Sequence, residues 1–128
     1  MKKLLTLLAI ITLAGVSTAH AKYLCSYTAY ISQGDKYNSS GKFLGSHANR
    51  ATAAAILQQD RANAHRFTEL RDEGDNIDCY FNTTQKRKKM AAMLQKGSIS
   101  QAAINDIVHG DPVVNVEVHH DRVHVTIE

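Results

Sequence analysis

The sequence predicts an α+β fold: a small antiparallel sheet, made by an N-terminal strand plus a C-terminal hairpin, packed against one long helix and two short helices. Three observations carry that prediction. Residues 48–70 are rich in Ala, Leu, Gln and Arg, all strong helix formers, and hold no Gly or Pro. From Tyr23 to Ser32, Cys25, Tyr27, Ala29 and Ile31 alternate with Leu24, Ser26, Thr28 and Tyr30, the two-residue period of a strand. Near the C-terminus, Val114, Val116 and Val118 are answered by Val123, Val125 and Ile127. Strands and helices are segregated along the chain, which favours α+β over a parallel α/β sheet. The order of the strands does not follow from these patterns.

Met1 to Ala21 has the form of a secretory leader: Lys2 and Lys3, an apolar run from Leu4 to Val16, and Ala19-His20-Ala21 as a small-x-small cleavage site. The expected mature chain, Lys22 to Glu128, is one domain of 107 residues. The leader's apolar run is shorter than the roughly 18 residues of a membrane span, and no later stretch is more apolar. The expected location is the periplasm or the medium. Of 15 Lys and Arg against 12 Asp and Glu, two lie in the leader, so 13 remain against the same 12. A near-neutral domain makes no electrostatic case for nucleic acid as partner.

Cys25 and Cys79 are the two cysteines, and export into an oxidising compartment predicts a disulfide between them. Within the long helix, Ala53, Ile56, Leu57, Ala64 and Phe67 form a core-facing stripe, with Asp60 in its middle. A carboxylate there must be buried with partners or line a cleft. Backbone N–H groups of residues 33–47, or a Tyr hydroxyl of the first strand, are the expected donors. That segment, Gln33 to His47, reads as an ordered loop with turn-forming Gly, Asn and Ser.

Arg71 to Asp78 reads as an acidic loop, and Cys79-Tyr80-Phe81 returns the chain to the core. Thr84 is the expected cap of a helix reaching Lys96, with Met90, Met93 and Leu94 inward and Gly97 as a left-handed stop. Its first turn carries Lys86, Arg87, Lys88 and Lys89, which the preceding acidic loop is expected to neutralise. A further helix spans Ser100 to His109, where Ile99 and Ile104 have hydrophobic-staple spacing. A turn at His120-Asp121 would pair 118 with 123, 116 with 125 and 114 with 127. All apolar residues of the hairpin then share one face, and Glu117 stands opposite His124, with His119 diagonal to it.

Three functional readings compete. In the first, a small exported non-catalytic binding protein, of inhibitor or neutraliser type, engages another exported or envelope protein. Asp35, Lys36, Tyr37, Asn38 and Phe43 in the long loop, with Asp60 beneath, are its candidate residues. In the second, Glu117, His119 and His124 hold a metal, with zinc the ion that two imidazoles and a carboxylate suit. The third is a small enzyme centred on Asp60 with Arg61 or His65. No nucleophile elbow, H-E-x-x-H or phosphate-cradling Gly loop supports it. The binding reading leads, with no cofactor required.

Overall fold

The computed structural model describes residues 22–65, 72 and 76–128. The expected leader, Phe67 and half of the acidic loop lie outside the described residues. Strand β1 (Tyr23–Tyr30) leads through a 3-10 turn (Gln33–Lys36) into α1 (Arg50–His65). Helices α2 (Thr84–Arg87), α3 (Met90–Lys96) and α4 (Gln101–His109) follow, and β2 (Val113–His119) and β3 (Val123–Ile127) close the described chain. The sheet is antiparallel in the order β1-β2-β3.

The hairpin has the expected register, with Val118 opposite Val123, Val116 opposite Val125 and Val114 opposite Ile127. Alternation then delivers Tyr27, Ala29, Val114, Val116, Val118, Val123 and Val125 to one buried face. Ala53, Ile56 and Leu57 of α1, Met90, Met93 and Leu94 of α3, and Ile104, Ile107 and Val108 of α4 complete a single core. The long helix packs against α3 and α4, so the helices form one layer over one sheet face. The sulfurs of Cys25 and Cys79 are bonded, stapling β1 to the segment that precedes α2.

Caps explain the helix bounds. Asn49 accepts the Thr52 N–H and Ser100 accepts the Ala103 N–H, starting α1 and α4. For α2 the cap is Thr83, which accepts the Lys86 N–H, one residue before the expected Thr84. The helix expected from Thr84 to Lys96 is also interrupted, at Lys88 and Lys89, into α2 and α3. Arg87 turns inward, is buried, and donates to the Phe81 carbonyl and the Thr84 hydroxyl. One of the four cations of that turn is therefore a core bolt, not part of a solvated face.

Gly97 ends α3 for a different reason from the one expected. Its φ is −92°, so no left-handed conformation demands glycine. Instead a Cβ at this position would lie 1.6 Å from the Val123 carbonyl oxygen. That close approach lets Ser98 bridge to β3, its N–H donating to Val123 O and its carbonyl accepting from the Val125 N–H. The outer edge of β3 is thereby capped, while Asn76 caps β1 by donating to the Thr28 carbonyl and hydroxyl. Gly97→Ala is expected to cost about 3 kcal/mol, the upper end of overpacking costs. Urea unfolding measures it, and an unchanged midpoint would show that the turn and β3 part freely.

Candidate binding face and the charge network beneath it

The loop from Gln33 to His47 is ordered because its polar residues bond to the body of the protein and to each other. Asp35 sits 1% exposed, accepting from the Ser32 N–H through one oxygen and from Asn63 Nδ2 of α1, at 2.8 Å, through the other. Lys36 is 2% exposed, and its ammonium donates to the Gly110 carbonyl at the end of α4, with Asp111 3.9 Å away. The negative end of the α4 dipole suits a cation there. The Asn38 side-chain oxygen collects Ser40 N–H, Ser40 Oγ–H and Lys42 N–H, and Gly41, at φ +83°, takes the left-handed step that folds the turn.

That turn joins Tyr37 to Phe43 in a β-bridge and sets their rings 5.4 Å apart. Both remain nearly half exposed, at 46% and 45%. Gly45 makes room for this, since a Cβ there would meet the Phe43 ring at 2.7 Å. Between the loop and α1 lies a depression of about 290 Å³, lined by Gly34, Tyr37, Asn38, Ser39, Gly41, Gln59 and Asn63.

Of the six residues expected to form a binding face, Tyr37 and Phe43 stand at the surface and Asn38 lines the depression. Asp35 and Lys36 do not present themselves to a partner: their charges are buried against Asn63 and the end of α4, partners distant in sequence. Asp60 is fully buried, as its place in the stripe predicts, but it does not line the depression. The donor shown to it is Arg61 Nε, at 2.7 Å, a partner the helical stripe alone does not name. Gln59 and Asn63 were missed as lining residues. Their one signal is a pair of amides one helical turn apart in an Ala-rich helix.

Arg61 is the hub of a buried charge network. It lies 4.0 Å over the Tyr27 ring and donates to the Asn76 carbonyl at 2.7 Å and to Asp78 Oδ1 at 3.2 Å. His65 Nε2 is 2.5 Å from the same Asp78 oxygen, and the other carboxylate oxygen accepts the Tyr80 and Phe81 N–H groups. Burial pushes the Asp78 carboxyl up, but the His65 and backbone hydrogen bonds and the Arg61 charge outweigh it, holding the group below the usual carboxylate range. Burial likewise opposes the Arg61 charge, and its contacts with Tyr27, Asp60 and Asp78 more than restore it. Asp60, Arg61 and His65 are thus brought together, as the enzyme reading required, but Asp78 completes a structural clamp on the segment carrying Cys79. Its four acceptor contacts occupy Asp78 away from Lys86, Lys88 and Lys89; Glu69, Glu73 and Asp75, the other acidic residues expected to neutralise those cations along with Asp72, lie outside the described residues.

On the outer sheet face, Glu117 stands opposite His124, as expected. Glu117 Oε1 meets His119 Nε2 at 2.6 Å, and the two imidazoles stack edge-on at 5.2 Å. His124 Nδ1 turns to the Ser98 hydroxyl at 2.7 Å, away from a shared centre. Among the described residues no three His, Cys, Asp or Glu side chains are grouped to hold a metal, so the Glu117, His119 and His124 set does not converge.

No known relative places the chain. It matches no family model, no curated protein and no solved structure. Among the described residues no helix is long and apolar enough to cross a membrane.

Proposed function

We propose that the chain is a small exported binding protein without catalysis, engaging another exported or envelope molecule through the face built by residues 33–47. The exposed Tyr37–Phe43 pair is the observation that carries this reading. Aromatic side chains are enriched in contact surfaces, and those on a pre-ordered loop lose less entropy on binding. Here the order comes from the Asp35–Asn63 and Lys36–Gly110 bonds and from the turn around Asn38. The disulfide is in keeping with export. The carboxylates of Asp60 and Asp78 are engaged by Arg61, His65 and backbone, which favours scaffold over chemistry.

Excising the loop would remove Asp35 and Lys36 and so test stability more than recognition. The cleaner variant is Tyr37→Ala with Phe43→Ala, two surface truncations expected to change stability by no more than about 0.5 kcal/mol each. Used as bait on envelope and extracellular fractions, the double variant is expected to lose what the parent chain captures. Equal capture by both would overturn the proposed face.

A further inference from the structure

We infer that the depression between the 33–47 loop and α1 is a site for a neutral sugar ring, an inference that rests on the binding role proposed for this face. The seven lining residues are an aromatic, three amides, a hydroxyl and two glycines, with no charged side chain among them. Nothing in the lining pairs with a phosphate, a carboxylate or an ammonium group, so the set selects a neutral ligand. Its volume, about 290 Å³, is at the low end for ligand pockets and matches one ring rather than a peptide.

The hydrogen-bond logic fixes what the pocket offers. The Asp35 carboxylate only accepts, so Asn63 must turn its NH₂ toward it, at 2.8 Å, and its carbonyl toward Gln59. Gln59 Nε2 answers that carbonyl at 2.9 Å. The chain of amides therefore has one direction, and it ends on Gln59 Oε1, which accepts no hydrogen bond among the described residues. Gln59 is only 9% exposed and Asn63 only 2%. Gln59 Oε1 is not sealed in the interior but opens on the depression, where a ligand hydroxyl can donate to it. Beside it stands the half-exposed ring of Tyr37, an apolar face for the C–H side of a sugar. An extended peptide adding as a strand would also meet Ser98 bridged along the outer edge of β3 and Asn76 bonded to Thr28 on that of β1.

The test is an array of neutral and anionic oligosaccharides probed with the disulfide-bonded chain, Tyr37→Ala and Gln59→Met. The expected result is binding confined to neutral glycans and reduced at least tenfold by each variant. Gln59→Met is accompanied by a melting curve; Tyr37, being exposed, carries the test even if that variant unfolds. No glycan bound, binding only to anionic glycans, or binding indifferent to Tyr37→Ala would overturn the inference. A blank array together with a protein captured through Tyr37 and Phe43 would discard the sugar and leave the binding face standing. Loss of both readouts would remove both.

Discussion

Asp78→Ala is expected to destabilise the protein by about 3 to 5 kcal/mol, the cost of leaving a buried ionic partner uncompensated. Arg61, with a side chain fully out of solvent, would keep Asp60 but lose its second carboxylate. The Tyr80 and Phe81 N–H groups would lose their acceptor and His65 its partner. Adding Arg61→Met to the same chain is expected to cost less than it does in the parent, because the Arg61–Asp78 contact is already gone, whereas the buried Asp60 carboxylate loses its Arg61 donor in either background. Urea unfolding of the two single variants and the double variant measures this, and a double variant as unstable as the sum of the singles would show that the pair is not coupled.

The same carboxylate sets an acid limit. Its folded pKa lies below the ordinary value of 3.8, so its stabilisation is fully present above that value. It is lost as pH falls through the folded pKa, because protonation then favours the unfolded chain. Unfolding midpoints measured from pH 7 down to pH 2.5 are expected to fall steeply in the parent chain below about pH 4. Asp78→Asn, with nothing to protonate there, is expected to start lower and fall less. Parallel curves for the two proteins would assign the acid sensitivity to other carboxyl groups.

Reduction of the Cys25–Cys79 bond is the second large effect expected. The bond closes a loop across a sequence separation of 54, worth about 4 kcal/mol in the chain-entropy account. Peptide mapping without reductant should recover the two cysteines linked. Cys25→Ser with Cys79→Ser should lower the unfolding midpoint by about as much as reductant lowers the parent's. Two free thiols in the protein purified without reductant, or a midpoint indifferent to reductant, would contradict this.

Local patterns were the legible part of the fold. Valine alternation yields the hairpin register, and the helical stripe places Asp60 in the interior before any coordinates. What the sequence hides is long-range. Asp35 and Lys36 read as surface residues of a polar loop because their partners, Asn63 and Gly110, belong to other elements. Gly97 advertises that a side chain is forbidden, but not whether the backbone angle or a neighbouring strand forbids it; the neighbour is Val123. The candidate site was half visible. Tyr37, Asn38 and Phe43 follow from loop composition, whereas Gln59 faces them only once α1 is docked.

The place of β2 in the middle of the sheet dictates an order of events during folding. Tyr30 pairs with Val113 and Cys25 with Val118, contacts between residues far apart along the chain, of the kind that close slowly. Until β2 forms, β1 has no strand partner, and its neighbour-facing hydrogen-bonding edge is open to other chains. Cys25 and Cys79 both precede β2, so oxidation needs nothing from the hairpin. An early disulfide would hold β1 against the body of the protein while it waits, and would shorten the search that β2 must complete. Mutations that weaken the terminal hairpin should therefore show themselves first as aggregation of newly made chain, and only second as a lower melting temperature of the molecules that do fold.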